Sequence, residues 1–436
     1  MSDIAVLYFL LLLLFVAIVW VPVFHYTRRR RRDLCEPVYL ATAIFFIMFW
    51  VRSVYILIWG SLYLGERPFA PDIIESWNLV LLYSILACAV FYSTYYSKFG
   101  VALAHAVAPL PARWPIPRVY WLITILFGAG LASAYALVGQ YGSLANFLDR
   151  RRAPNPLQGV GDLELLAYSM ALSMEAAYVL LACRRKGVVL FASLFVIAVG
   201  FQFLQGQRLI VASTLLSLLV IYHYLRKPLR PRYLLGLGLL VALVVSPVMV
   251  LFREGSKQEV SVQSVSEALA PEGGPVSFLE RLDGIDGFVF IVRDTPALMD
   301  YQYGKSYMYA LIAWFPRRYW RDKPKDFEIV FTDTYFAGWF EPGVTGFSPT
   351  LLGEGYINFH VAGLLLVAGL GGLFWRAFYE YSIRRSAGMS GVFVYASALP
   401  FVLVSVEGRA VSLLTPAWII LLTSLSSVLM SKRELR

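Results

Sequence analysis

The chain has 436 residues, of which 59% are hydrophobic and 16% aromatic, and its mean hydropathy is +0.65. That much apolar surface excludes a soluble globule and marks an integral membrane protein. The formal net charge of +10 brings no basic-plus-aromatic nucleic-acid module with it, so no nucleic-acid partner is expected.

In chain order, apolar stretches of spanning character fall at residues 4–26, 37–64, 78–97, 118–140, 163–182, 187–205, 209–225, 233–252, 349–375, 390–406 and 411–430. The expected fold class is an all-α polytopic membrane protein with about eleven transmembrane helices. Eight spans occupy residues 1–252, a long polar segment occupies 253–348, and three spans occupy 349–436. The first stretch is too long for a signal-peptide core and has no basic lead or small-residue cleavage site, so it is expected to persist as a helix.

Basic clusters punctuate alternate connections: Arg28 to Arg32, Lys98 with Arg113 and Arg118, Arg184 to Lys186, "RKPLRPR" from Arg226, Arg376 with Arg384 and Arg385, and the terminal "KRELR". They hold about 21 of the 38 lysines and arginines and fall on one side if the spans alternate, which the positive-inside rule makes cytoplasmic. The N-terminus is then outside, the C-terminus inside, and residues 253–348 outside.

Outer connections should be poor in arginine, yet they carry Arg67, Arg150, Arg151, Arg152, Arg208 and Arg409, and the long segment adds "FPRRYWRDKPKDF". Two hairpins match: "LQGQRLIVASTLL" around Arg208 and "SVEGRAVSLLTPAW" around Arg409 each place a glycine and an arginine between two spans. Arginine's planar fork suits phosphate; the plainer alternative is an interfacial anchor that snorkels to headgroups. Arg52 lies inside the second span, where it needs a partner or a watery cavity.

The runs "IDGFVFIVRDTPALM" and "YMYALIAWFPRRYW" are too short to span and are expected to lie on the membrane or cap the bundle. The chain re-enters at "GFSPTLLGEGYINFHVAGLLLVAG". Glu354 there is a general-base candidate or an ion-pair partner for an outer arginine. On a regular helix His360, six residues on, would occupy a different face, and it is read as a buried structural residue. The histidines His25, His105, His223 and His360 and the cysteines Cys35, Cys88 and Cys183 show no ligand-spaced cluster and no disulfide framework, so neither a metal site nor a cofactor is expected.

The "GQR" hairpin, "FPRRYWRDKP", "FSPTLLGEGYINF" and the "VEGR" hairpin, in that order, resemble the bacterial oligosaccharide repeat-unit polymerases, the O-antigen polymerases of the Wzy type. The resemblance implies a glycosyltransferase of GT-C type in the inner membrane, acting at its periplasmic face on undecaprenyl-pyrophosphate-linked oligosaccharides. The growing glycan would pass from its lipid pyrophosphate to an incoming lipid-linked unit, with a flippase and a chain-length regulator as partners besides the membrane lipids. By position in the motifs, pyrophosphate binding falls to Arg208, then Arg317 and Arg409, and more weakly Arg151. Glu354 would activate the attacking hydroxyl, with Glu407 in reserve. Arg318, Lys323, Tyr356 and Glu407 join Arg151 as substrate-binding candidates. The same architecture and donor would serve an O-antigen ligase acting on lipid A-core, and outer arginines would also suit a transporter of lipid-linked or anionic solutes.

Overall fold

The computed structural model describes residues 3–28, 33–59, 71–147, 166–185, 187–205, 208–245, 284–313, 315, 320, 322–336, 347–386 and 388–430. The first helix, α1, is Asp3–Arg28, and α2 is Pro37–Trp59 with a π-helical turn at Phe46–Val51. They are followed by α3 (Pro71–Tyr95), α4 (Lys98–Ala106), α5 (Ile116–Gln140), α6 (Ser169–Arg184), α7 (Val188–Leu204), α8 (Arg208–Leu225) and α9 (Pro231–Val245). Three short helices come next: α10 (Gly284–Asp294), α11 (Lys305–Ile312) and α12 (Phe327–Tyr335). The rest are α13 (Thr350–Tyr379), α14 (Met389–Val404), a single 3-10 turn at Ala410–Leu413 and α15 (Leu414–Met430).

The protein is a helical, multi-pass membrane protein. Among the described residues six stretches are long and apolar enough to cross a membrane: Ile4–Arg28, Pro37–Trp59, Ile73–Tyr95, Ile116–Gln140, Thr350–Arg385 and Ala410–Met430. Shorter apolar helices lie at Val188–Leu204, Ile210–Leu225, Pro231–Val245 and Met389–Val404. The stretch read at residues 163–182 holds α6, whose sides are buried nearly all round, as befits a helix at the centre of a bundle.

The chain divides into two compact units. The first comprises Met1–Val107, Leu279–Glu380 and Val402–Leu414, the second Ala108–Phe278, Tyr381–Phe401 and Thr415–Arg436. In the first unit α3 packs along α13 and α1, and α10 packs against both α3 and α13. The crossing of α3 and α13 depends on Gly372, where a Cβ would stand 2.2 Å from Thr94 Oγ1 and 2.3 Å from the Phe91 carbonyl. Only glycine permits that approach. In the second unit α6 is the hub against which α5, α7 and α8 pack.

Two expectations change. Of the two placements expected for this run, lying on the membrane does not hold for α10, since Gly284 to Val292 are buried throughout, whereas a cap packed on the bundle is compatible with that burial. Within it Asp286 is fully buried and accepts from Arg52 Nη2 at 2.7 Å and Nε at 3.3 Å. Arg52 thus takes the partnered alternative rather than the watery cavity. Ser53 beside it accepts from Trp77 Nε1 at 3.0 Å, and its carbonyl accepts from the Tyr8 hydroxyl at 2.9 Å.

The second change concerns α13, which is not one regular helix. Phe359 (φ −143°, ψ 31°) and His360 (φ 55°, ψ −149°) are non-helical. Beyond the break the chain folds back, so that a Cβ on Gly363 would stand 2.2 Å from the Gly355 carbonyl. Residues 350–358 form a short arm of about 13 Å, too short to span, while 361–379 run about 28 Å, close to the hydrocarbon thickness. His360 is exposed at the fold-back rather than buried, and its ring lies 4.7 Å from that of Tyr356. Glu354 therefore sits on a separate arm packed against the span.

Candidate active site

The first unit gathers residues from four separated stretches around the short arm of α13. Glu354 is 1% exposed. One of its oxygens, Oε2, accepts the backbone N–H of Ala410 at 2.5 Å, at the start of the 3-10 turn, and the carboxylate also bonds the Ser306 hydroxyl. Asn358, one turn on, holds this arrangement rigid. Its Nδ2 donates to Ser306 Oγ at 2.7 Å and to the Glu354 carbonyl at 2.8 Å, while its Oδ1 accepts from the Gly304 amide at 2.7 Å. The "GEG" motif and the residue directly after "VEGR", more than fifty residues apart, thus meet through a hydrogen bond.

Arg409 sits next to that bond. Its Nη2 pairs with Asp326 Oδ2 at 3.0 Å and its Nη1 with Glu328. Asp326 is the N-cap of α12, where its side chain accepts the Glu328 amide at 3.3 Å, and Glu328 lies in the first turn, where a negative charge is favoured by the helix dipole. Burial is the largest influence on both partners. It holds the Asp326 carboxyl above its ordinary range, against the attraction of Arg409, and lowers Arg409, against the attraction of Asp326. The pair accordingly couples α12 to the hairpin and adds little net stability of its own.

Lys323 is 6% exposed, and its Nζ donates to the carbonyls of Ala313 at 2.8 Å and Phe315 at 3.0 Å, with the Tyr309 ring 5.1 Å away. It satisfies carbonyls left over at the end of α11. Tyr356 is buried in an aromatic cluster with Tyr83, Phe288 and Tyr301. Glu407 is half-buried, and its carbonyl accepts the Ser348 hydroxyl at 3.2 Å, which ties the hairpin to the entry of α13.

The cluster therefore sets three carboxylates, Glu354, Asp326 and Glu328, against Arg409 and Lys323. Such a balance favours a hydroxyl or a cation over a second anion. Arg151, Arg317 and Arg318 lie outside the described residues. Arg208 begins α8 in the second unit, and its side chain also lies outside what the structure describes.

Sequence reasoning brought out Glu354 and Arg409 but missed Asp326, Glu328, Ser306 and Asn358. Asp326 carried a usable signal, since "KPKDFEIVF" is an N-cap aspartate followed by an acidic first turn. No protein-family model matches the chain, and neither the curated proteins nor the solved structures contain a match to it.

Proposed function

We propose that the protein is a glycosyltransferase of eleven spans and GT-C-like architecture that polymerises undecaprenyl-pyrophosphate-linked oligosaccharide units at the periplasmic face of the bacterial inner membrane. Its N-terminus is periplasmic and its C-terminus cytoplasmic. The observation that carries the reading is the convergence of the re-entry motif and the second Gly-Arg hairpin on one buried carboxylate, Glu354. A carboxylate fixed by a backbone amide and a hydroxyl is suited to orient an acceptor sugar hydroxyl and take its proton as the new glycosidic bond forms.

Arg409, whose fork already faces Asp326 and Glu328, acts as a positioning residue that holds the Ala410 amide under Glu354. By their place in the motifs, Arg208, Arg317 and, more weakly, Arg151 remain the candidates for meeting the charge of the departing pyrophosphate without a metal.

The test is a single-turnover transfer between two lipid-linked units by Glu354→Gln, whose side-chain oxygen can still accept from Ala410. Transfer should fall by roughly 100-fold or more with substrate binding retained. Transfer at the wild-type rate in this variant would remove Glu354 from the chemistry.

A further inference from the structure

The second unit encloses a carboxylate that the glycan-transfer reading does not use. Glu175 lies near the middle of α6 and is fully buried. Among the described residues no lysine, arginine or histidine makes an ion pair with it. Its hydrogen-bond partners among the described residues are all neutral hydroxyl groups. Tyr168 donates to its Oε1 at 3.3 Å, Ser397 of α14 donates to its Oε2, and Ser217 of α8 completes the set. A carboxylate inside an apolar bundle costs far too much to stand uncompensated, so one positive charge must accompany it.

The surroundings indicate which charge. A cavity of about 10 Å³ lies alongside, room for one water. It is lined by Tyr168, Gln202 and Gln205 but not by Glu175. A metal ion seated there would not touch the carboxylate, whereas a proton needs no room. Ser217 can turn its one hydroxyl proton to the Ser213 carbonyl at 3.0 Å or to Glu175, so it can meet the carboxyl in either charge state.

The cavity and the carboxyl are also joined by a chain of hydrogen bonds. Gln202 bonds Thr214 at 3.0 Å, Thr214 bonds the Tyr168 hydroxyl, and Tyr168 bonds Glu175. At the cavity end Gln205 is 4% exposed, and its Nε2 has no hydrogen-bond partner. A buried amide left open in this way is a place for a water.

We infer that Glu175 is a proton-binding site within the membrane bundle, supplied from a water in the adjoining cavity through the Tyr168 hydroxyl. In the loading step a hydronium in the cavity gives up a proton and becomes water. Tyr168, which itself lines the cavity, takes that proton as it passes its own to Glu175, so the tyrosine is unchanged and the carboxylate becomes a neutral acid. Tyr168 is the one other titratable group facing Glu175 among the described residues; Ser397, Ser217, Thr214 and Gln202 are neutral. The inference stands apart from the polymerase reading, because its ligand and its residues are different.

Infrared difference spectroscopy of the full chain in lipid nanodiscs tests it. The wild type should show the carbonyl stretch of one buried protonated carboxylic acid, absent in Glu175→Gln. In D2O that band should shift as its proton exchanges, and Tyr168→Phe should slow the shift by roughly tenfold or more while the band itself persists. Sodium chloride replaced by choline chloride should change nothing. An identical spectrum in Glu175→Gln would overturn the site, and a band that appears only when sodium is withdrawn would make sodium the bound cation. If Glu175→Gln does not fold, exchange in Tyr168→Phe as fast as in the wild type would still refute the route.

Discussion

Replacing Asp286 with alanine removes the carboxylate that faces Arg52, deep inside the first unit. The two side chains are 1% and 0% exposed and share a contact of 2.7 Å and a second of 3.3 Å. Arg52 also stands over the Tyr55 ring at 5.2 Å. Breaking a buried pair of this kind costs about 3–5 kcal/mol, because the surviving charge stays buried. At roughly 2 °C per kcal/mol for a chain of this size, the thermal midpoint should fall by about 6–10 °C. Nanoscale fluorimetry on purified protein in one detergent gives the readout. The double variant Arg52→Met with Asp286→Leu carries no buried charge and should return to within about 2 °C of the wild type. A double variant as unstable as the two single changes summed would show that the pair does not act as a unit, and an unaffected Asp286→Ala would refute its burial.

Other outcomes follow from the candidate site and the helix crossing. Arg409→Lys replaces a fork with a point charge that cannot hold Asp326 and Glu328 together, so limited proteolysis should cut near α12 faster than in the wild type. Asp326 has a folded-state value above its ordinary one, so between about pH 4 and that higher value the folded chain holds more proton than the unfolded one and stability falls as pH rises. Asp326→Asn should flatten that part of the thermal-midpoint profile. Gly372→Val places carbon atoms on Thr94 and on the Phe91 carbonyl, and size-exclusion chromatography should show aggregated protein in place of the wild-type peak.

Hydropathy located the helices well because it sums over some twenty residues. Each of the eleven apolar stretches holds a helix among the described residues. It is blind to a single torsion. The break at Phe359 and His360 involves neither glycine nor proline, so "NFHVAG" read as continuous helix. Long-range partners were equally hidden: Asp286 lies 234 residues from Arg52, and no spacing rule reaches that far. Glu175 is different, because its signal was present. A lone carboxylate in "SMALSMEAAYVLL" calls for the same question that Arg52 raised. The pairing of Arg409 with Asp326 and Glu328 depends on α12 folding as a capped helix, which charge counting along the chain does not register.

The most direct test of the central claim is to incubate the purified, detergent-solubilised chain with one undecaprenyl-pyrophosphate-linked repeat unit in EDTA and separate the products on a gel. The account predicts a ladder that steps by one repeat unit and that is lost in Glu354→Gln. Substrate bound but never elongated, with glycan passed instead to lipid A-core or moved across a liposome membrane, would contradict it.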